Sequence, residues 1–339
     1  MSAPAKPARA QLREVGHSGP KLDAWAKVTG RAIYVDDIPA TDMLHGRTVR
    51  STIARGRIRK VEFDPTFDWS AVTIVDWRDI PGENVVALIE NDQPLLARDE
   101  VRHQDEAIVL LAHADPEHLL EAVKHVHIEY DPLEPVLTIA DALAVRQRLF
   151  GDDNVFKTIH IERGDTAAGL AGSDLVVEGT YRFGHQEHIY IENNGMIAER
   201  TPTGGLHVRG SLQCPYYVHK ALCRAFALTG SQVRVTQTVT GGGFGGKEEY
   251  PSMIAGHACL LAWKSGRPVR LMYDRLEDIA ATTKRHPGEI HIRAGVMRDG
   301  TLVALESYML QDKIRPLQLA PAQATALPAI EYRSARCLL

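Results

Sequence analysis

Short apolar runs separated by polar turns dominate the first third of the chain. The runs at residues 72–75, 85–89 and 107–111 are continuous and short, which predicts buried strands. Asp115 followed by Pro116 predicts the start of a helix, because Asp is a favoured N-cap and Pro is favoured in the first helical turn. This part of the chain therefore predicts a small unit of mixed helices and strands.

The second half of the chain shows more regular patterns. Residues 206–211 and 233–239 predict two strands, and an amphipathic helix is predicted to begin between them at Pro215. Residues 251–265 are apolar on nearly all sides, so they predict a helix buried in a larger domain. Two further predicted strands, at 289–296 and 301–309, flank an Asp-Gly pair that is typical of a hairpin turn.

The order of these elements predicts an α+β fold. A length of 339 residues suggests about two domains. We expect a flexible arm at residues 1–20, a small domain at 21–135, a connector with one short helix (139–149) at 136–156, and a larger domain at 157–339.

Composition and charge exclude several classes of protein. The chain is 44% apolar and 24% charged, as is usual for a globular protein. Its net charge of −4 argues against a nucleic-acid partner, which would favour a basic surface. No run approaches the ~18 consecutive apolar residues of a membrane span, and the first twenty residues lack the apolar centre of a secretory signal. We therefore expect a cytoplasmic protein without a membrane segment.

The cysteines do not form a metal-binding pattern. The four cysteines lie far apart, and none belongs to a Cys-x-x-Cys pair: Cys214, Cys223, Cys259 and Cys337. The sequence therefore contains no recognisable zinc or iron–sulfur ligand set.

A run of glycines at residues 241–246 lies between a predicted strand and a predicted helix. Glycines allow close backbone approach, and a helix N-terminus favours anions, so this run predicts a binding loop. A tight turn with only a packing role is the alternative. The run also fits G-x-G-x-x-G, but the next candidate ribose-binding acid, Asp274, follows the last glycine by 28 residues rather than the usual ~20. The P-loop pattern fails because Glu248 replaces the required Ser or Thr and would repel phosphates.

The run Thr240–Glu248 (TGGGFGGKE) resembles the glycine loop of the xanthine dehydrogenase/aldehyde oxidase family of molybdenum hydroxylases. The glycine run alone is a weak signal, but several further runs resemble family segments and occur in the same order. These runs are Val28–Ile38, Leu44–Gly56, Gly184–Glu192, Gly266–Val269, Asp274–Asp278 and Lys284–Pro287. The resemblance implies a small α/β-hammerhead-like domain, followed by the first part of a larger α+β molybdopterin-binding domain.

The resemblance also implies a cofactor and a set of contacts. Family members hold molybdenum through the dithiolene of a pterin, which agrees with the lack of clustered cysteines. By position, Gln213, Gly243, Phe244 and Gly245 match cofactor-binding residues, and Gln213 and Phe244 match those beside the metal. Glu248 matches a glutamate that hydrogen-bonds purine substrates in xanthine-oxidising members.

Each of these side chains also has a purely structural interpretation. Gln213 could form local hydrogen bonds in a loop, and Phe244 could anchor the loop in the core. Glu248 could be an acid in the first turn of the following helix, where the helix dipole favours it.

The resemblance thins after about Tyr308, and the chain lacks the FRG[FY]G run that positions substrate in the family. The family's catalytic base also lies beyond the matching region, so no catalytic residue is identified here. We therefore expect the N-terminal part of a molybdenum-binding subunit, whether from truncation, a split gene or a decayed copy. The resemblance implies a separate iron–sulfur subunit, an FAD subunit and a complementing C-terminal chain as partners.

The leading hypothesis is a xanthine dehydrogenase-like oxidoreductase of purine metabolism. It would hydroxylate purines, related N-heterocycles or aldehydes with water as the oxygen source. One alternative is an NAD-dependent dehydrogenase that uses the G-x-G-x-x-G match. Another is a catalytically inert remnant.

Overall fold

The computed structural model describes residue 16 and residues 18–39, 42–86, 93–312 and 329–337. The chain divides into two compact units, Met1–Ile33 and Tyr34–Leu339. The described part of the first unit contains helix α1, Ala24–Val28. All the other elements belong to the second unit.

The second unit contains six α-helices among its described residues. They are α2 (Pro116–Lys124), α3 (Ile139–Leu143), α4 (Thr166–Ala171), α5 (Pro215–Ala225), α6 (Pro251–Ser265) and α7 (Arg275–Ala281).

The described strands are β1 (Leu44–Arg50), β2 (Gly56–Phe63), β3 (Thr73–Val75), β4 (Glu100–Val101), β5 (Ala107–His113), β6 (Val126–Pro132), β7 (Val155–Arg163), β8 (Leu175–Phe183), β9 (Gly195–Arg200), β10 (Leu206–Gly210), β11 (Val233–Gln237), β12 (Val269–Met272), β13 (Gly288–Val296), β14 (Leu302–Asp312) and β15 (Ala329–Cys337).

These strands form three sheets. A seven-stranded sheet has the order β11-β10-β9-β12-β1-β5-β3, and a three-stranded sheet has the order β4-β2-β6. A five-stranded sheet has the order β7-β15-β14-β13-β8. In the seven-stranded sheet β1 runs parallel to β12, with Leu44 opposite Val269. Strands that precede the predicted connector and strands that follow it therefore share one sheet. The domain boundaries given above remain a prediction.

The main core lies where helix α6 packs against the seven-stranded sheet. Every residue from Pro251 to Ala262 is buried, as the uniformly apolar sequence predicts. Gly266 ends the helix with a φ of +69°, the left-handed conformation that glycine adopts without strain. The predicted buried helix is confirmed.

Several other predicted elements are confirmed, and some boundaries are corrected. The carboxylate of Asp115 accepts a hydrogen bond from the backbone N–H of Glu117 at 2.9 Å and caps α2 as predicted. The predicted helix at 139–149 ends already at Leu143. Residues 87–89 of the predicted strand at 85–89, and most of the predicted arm, lie outside the described residues. Among the described residues, no helix is long and apolar enough to cross a membrane.

Candidate functional site

The glycine run forms the loop between β11 and α6. At Gly243, an added Cβ would lie 2.4 Å from Oε1 of Gln213, and at Gly241 it would lie 2.5 Å from Cβ of Glu192. No larger residue fits at these two positions unless its neighbour moves. The chain's own packing therefore requires part of the glycine pattern.

Gln213 holds this loop with both its backbone and its side chain. Its Oε1 accepts hydrogen bonds from the backbone N–H groups of Gly245 and Lys247, each at 3.1 Å. Its own N–H donates to the carbonyl oxygen of Lys247 at 2.7 Å. Gln213 comes two residues before Pro215, the first residue of α5. The structure thus brings Gln213 directly against the glycine loop.

A buried ion pair lies beneath the loop. The side chain of Lys247 is 0% exposed, and its Nζ lies 3.2 Å from Oε2 of Glu192. The same Nζ donates to the carbonyl oxygen of Glu192 at 2.6 Å and to Oγ of Ser211 at 2.8 Å. Glu192 Oε2 in turn accepts the N–H of Gly241 at 2.6 Å, and Nζ lies 4.6 Å from the ring centroid of Tyr190.

This geometry decides the role of Lys247. Burial lowers the pKa of Lys247, while the Glu192 carboxylate acts in the opposite direction. The ammonium group is directed into the protein and fully engaged there. It is therefore not available for a nucleotide phosphate, and the P-loop interpretation is excluded by structure as well as by sequence.

A second layer of buried polar contacts supports the first. The hydroxyl of Tyr190 donates to Oδ1 of Asp278 at 2.7 Å, and the backbone N–H of Asn194 donates to Oδ2 of the same carboxylate at 2.6 Å. Burial, with the nearby Asp278 carboxylate, raises the pKa of Tyr190. Lys284, also buried, pairs with Glu187. The run Gly184–Glu192 and helix α7 therefore form the base on which the loop rests.

Sequence reasoning missed this support. Glu192, Ser211 and Asp278 lie far apart in the sequence, and no local spacing relates them to Lys247. Glu192 and Asp278 lie in runs that resemble the family, and that resemblance was the one available signal.

Phe244 lies at the exposed side of the loop. Its side chain is 78% exposed, and its φ of +52° is in the left-handed region that few non-glycine residues adopt. The expectation that Phe244 could anchor the loop in the core is wrong, because the loop is held by Gln213 and Lys247 instead. An exposed aromatic ring on a strained backbone is the feature here that internal packing does not explain.

Glu248 is exposed and lies in the turn before α6. Helix α6 begins at Pro251, with no acidic residue in its first turn, so the helix-dipole interpretation of Glu248 is wrong. The reason is local: Gly246 N–H donates to the Gly243 carbonyl, and Glu248 N–H donates to the Gly245 carbonyl. These tight turns delay the start of the helix.

The loop also carries backbone donors without an internal acceptor. The N–H groups of Gly242, Gly243 and Phe244 form no hydrogen bond within the part of the chain that the structure describes. Successive N–H groups of this kind, next to residues with positive φ such as Gly242 (+105°) and Gly245 (+89°), are typical of a site for hydrogen-bond acceptors on a ligand. Within the same described ranges, no group of three or more His, Cys, Asp or Glu side chains could hold a metal ion.

Comparison with known families identifies two regions of the chain. Residues 29–134 match the aldehyde oxidase and xanthine dehydrogenase a/b hammerhead domain. Residues 150–327 match the molybdopterin cofactor-binding domain.

Curated relatives match most of this chain at about one third identity. The large molybdopterin subunit of nicotinate dehydrogenase from Eubacterium barkeri is 33% identical over 92% of this chain and 73% of its own length. A probable xanthine dehydrogenase subunit from Bacillus subtilis is 34% identical over 88% of this chain and 40% of its own length. Mouse xanthine dehydrogenase/oxidase is 34% identical, but the match covers only 22% of that protein.

Solved structures share the fold. Quinoline 2-oxidoreductase from Pseudomonas putida 86 superposes with a TM-score of 0.79 at 23% identity, covering 94% of this chain and 44% of its own. Aldehyde oxidoreductase from Desulfovibrio gigas gives a TM-score of 0.76 at 21% identity, covering 94% and 38%. The predicted α+β fold, with a hammerhead domain followed by a molybdopterin-binding region, is thus confirmed. The chain belongs to the xanthine dehydrogenase/aldehyde oxidase family and corresponds to part of its molybdopterin-binding subunit.

Proposed function

We propose that this chain is the cofactor-contacting part of a molybdenum hydroxylase. Gln213, Gly243, Phe244 and Gly245 would contact a molybdenum–molybdopterin cofactor, with Gln213 and Phe244 beside the metal. When bound, this cofactor supplies the redox-active metal for hydroxylation with water as the oxygen source. The observation that carries the proposal is the exposed Phe244 at positive φ, on a loop otherwise pinned from below.

The donor set fits this kind of cofactor. The described residues offer no cluster of side chains for direct metal ligation. A metal that is held by the sulfur atoms of a pterin needs no such cluster. The unpaired N–H groups of Gly242, Gly243 and Phe244 suit the hydrogen-bond acceptors of an organic cofactor.

Glu248 is the residue that we assign to the substrate. It is exposed and comes directly after the buried Lys247. A carboxylate there accepts hydrogen bonds from ring N–H groups, which suits a purine or a related N-heterocycle. The named relatives act on nicotinate and xanthine, which agrees with this class; aldehydes are the second substrate class.

The proposal includes partner proteins and a location. The curated relatives named above include proteins called subunits, and the chain spans only 22–73% of those relatives. We propose an iron–sulfur subunit, an FAD subunit and a chain that supplies the remaining part of the molybdopterin subunit. The cytoplasm is the proposed location.

A dinucleotide site is disfavoured by the charges around the loop. The N–H of Gly241, the first donor of the G-x-G-x-x-G match, already donates to the Glu192 carboxylate. Glu248 and Glu249 follow the last glycine, so a pyrophosphate would meet negative charge on two sides. Lys247, the nearest cation in the loop, is directed inward.

Metal and nucleotide analysis of one sample tests the proposal against this alternative. The chain is purified from a host that makes molybdopterin, and its molybdenum and pterin contents are measured by mass spectrometry and by fluorescence of the released pterin. A second aliquot is titrated with NAD by calorimetry. We expect molybdenum and pterin in equal amounts and no saturable NAD binding. Saturable NAD binding without molybdenum would establish the dehydrogenase instead.

We also predict that the chain alone does not oxidise xanthine. The described residues provide cofactor and substrate contacts, but no side chain that we assign as the general base. General-base catalysis contributes ~10²- to 10⁴-fold, so turnover without it falls close to background. Steady-state xanthine oxidation with an artificial electron acceptor measures this. Turnover by the chain alone would assign the base to these residues, with His188 as the first candidate.

A further inference from the structure

The five-stranded sheet has one charged face and one apolar face. Side chains alternate between the two faces along each strand. On the charged face, Glu178 and Arg182 of β8 pair with Arg293 and Glu289 of β13, so these charges are satisfied within the sheet. The side chains on the apolar face include Ile161, Val177, Tyr181, Ile290, Ile292 and Met309.

The apolar face is the open one. An antiparallel sheet usually packs its apolar face on a core and turns its charged face to solvent. Here Ser173, two residues after α4, lies over the charged face: a Cβ added at Gly295 would lie 2.2 Å from its Oγ. On the apolar face, Ile161, Val177 and Tyr181 are 59%, 51% and 58% exposed. Among the described residues, no side chain of this sheet belongs to the main core or to the smaller apolar cluster of the chain.

This face is large enough for a stable interface. Five strands ~4.8 Å apart, with nine residues of ~3.4 Å each, give a face of roughly 600 Å². That size is at the upper end of apolar patches on monomeric proteins and approaches the ~800 Å² that each partner buries in a standard interface. Strands β8, β13 and β14 place no charged residue on this face, whereas Lys157, Arg163 and Arg336 lie on it at the β7 side.

The comparisons indicate what covers such a face. The sheet lies within residues 150–327, which match the molybdopterin cofactor-binding domain. The quinoline and aldehyde oxidoreductase structures superpose on 94% of this chain with only 44% and 38% of their own length. More than half of each of those proteins therefore lies outside the part that this chain matches. A second copy of the present chain would not supply that part.

The apolar face is continuous with the candidate site. Strand β8 ends at Phe183, which lies on this face, and the run Gly184–Glu192 that supports the glycine loop follows directly. The guanidinium of Arg285 lies 5.0 Å from the ring centroid of Phe183, and the backbone N–H of Arg285 donates to the carbonyl oxygen of Gln186 at 2.9 Å. A protein segment that covers this face therefore also lies beside the base of the loop.

We propose that the apolar face of the five-stranded sheet is the docking surface for the remaining part of the molybdopterin subunit. That part covers the face with an uncharged, apolar surface, and it carries acidic residues where it meets the cations at the β7 side. The inference rests on the proposed function, because the proposed function includes this remaining part as a partner.

Site-specific photocrosslinking tests the docking surface. The assembled enzyme is purified from the native host through a tag on this chain, with Tyr181→benzoylphenylalanine as the crosslinking position. Illumination should join this chain to a segment whose sequence matches the part of the family subunit that this chain does not cover, and peptide mass spectrometry identifies it. Thr180→benzoylphenylalanine is the control, because Thr180 is exposed on the charged face of the same strand. It should give no such product.

Two adjacent valines provide a matched pair of substitutions. Val177→Glu places a carboxylate on the docking surface and should lower the amount of co-purified remaining part at least about tenfold, because burying an unpaired charge is unfavourable. Val176→Glu adds the same charge on the opposite face and should leave that amount unchanged. Both valines are exposed, at 51% and 39%, so neither substitution should change the urea midpoint of the isolated chain.

Several results would overturn the inference. They are a Tyr181 crosslink to a second copy of this chain or to an iron–sulfur or FAD subunit, the absence of any Tyr181 product, and an equal loss of partner in both valine variants. The molybdenum measurement described above separates this inference from the proposed function. Enzyme that holds molybdenum but gives no Tyr181 product contradicts the inference alone, whereas the expected crosslink in enzyme without molybdenum contradicts the proposed function alone.

Discussion

At the scale of single residues, Lys247 and Phe244 divide the glycine loop into an inner and an outer side. Lys247 is fully buried and bound to Glu192 and Ser211, whereas Phe244, three residues earlier, is largely exposed. The inner side fixes the backbone, and the outer side leaves an aromatic ring and backbone donors available. Because such a loop is already fixed, it loses little conformational entropy when a ligand binds.

Lys247→Met should destabilise the fold strongly. The substitution leaves the Glu192 carboxylate buried without its cation, and breaking a buried ion pair from one side costs about 3–5 kcal/mol. Urea unfolding measures the free energy of unfolding. Lys264→Met is the matched control, because Lys264 pairs with Asp79 at the surface and should cost at most about 1 kcal/mol. Equal costs for the two variants would mean that the buried pair does not hold the loop.

The double substitution Lys247→Met with Glu192→Gln separates charge from packing. Without the buried carboxylate, the penalty for an unpaired charge disappears, so the double variant should be more stable than Lys247→Met alone. If the double variant loses as much free energy of unfolding as the two single variants lose together, the two residues act independently.

The residues of the candidate site were predictable to different degrees. The glycine run and its resemblance indicated Gln213 and Phe244 as members of one site, and the structure places Gln213 against the loop. The exposure of Phe244 and the inward direction of Lys247 were not predictable. The inward direction of Lys247 depends on Glu192, which only the folded chain brings beneath the loop.

At the scale of elements, helix α6 is the centre of the main core and also follows the candidate site directly. Its burial includes His257, whose Nε2 lies 2.8 Å from the carbonyl oxygen of Leu95. This full burial lowers the pKa of His257 to about 3, because the charged imidazolium is not solvated there.

The stability of the protein should therefore fall as the pH is lowered from 6.5. In this range the unfolded chain takes up a proton at His257 near pH 6.5, while the folded chain stays neutral there until about pH 3. One such proton corresponds to a loss of up to about 1.4 kcal/mol per pH unit. Urea unfolding between pH 7 and pH 5, above the range of the carboxylates, measures the slope.

His257→Gln should reduce this slope by the contribution of one proton. Its amide can still donate to Leu95, so the hydrogen bond is retained. His127→Gln, on the exposed side of β6, is the control for removing a histidine elsewhere. An unchanged slope in His257→Gln would mean that His257 is not the buried neutral base described here.

The sequence predicted the elements that have a simple pattern. Helix α6 was evident because it is apolar throughout, and the β13–β14 hairpin because of its Asp-Gly turn. The sequence pattern did not predict strand β1, because the strand contains Arg47 and Arg50, and arginines are typical of the surface. In the structure both arginines pair with Glu277 of α7, more than 200 residues later, and no local pattern reveals such a pairing.

At the scale of the whole second unit, the candidate site is assembled from separate parts of the chain. Gln213 comes from the segment before α5, Glu192 from the segment before β9, and Lys247 from the loop before α6. The seven-stranded sheet fixes these segments relative to one another, since β9, β10 and β11 are neighbours in it. The family match supports a cofactor at this assembly. The direct test of this claim is whether the exposed side of the loop holds the cofactor.

That test is the rate at which molybdenum is lost from Phe244→Ala. Phe244 is largely exposed and its ring is not needed for the core, so its removal should change the free energy of unfolding by no more than about 0.5 kcal/mol. Tyr216→Ala is the control, because Tyr216 is an equally exposed aromatic residue on α5. Both variants are purified from a molybdopterin-producing host, diluted, and analysed for bound molybdenum and pterin over time.

We expect Phe244→Ala to lose molybdenum and pterin together, about tenfold faster than the unmodified chain, which corresponds to about 1.4 kcal/mol of lost contact. Tyr216→Ala should retain both at the unmodified rate. If Phe244→Ala keeps its molybdenum as long as the Tyr216→Ala control does, the glycine loop does not contact the cofactor, and the central claim is contradicted.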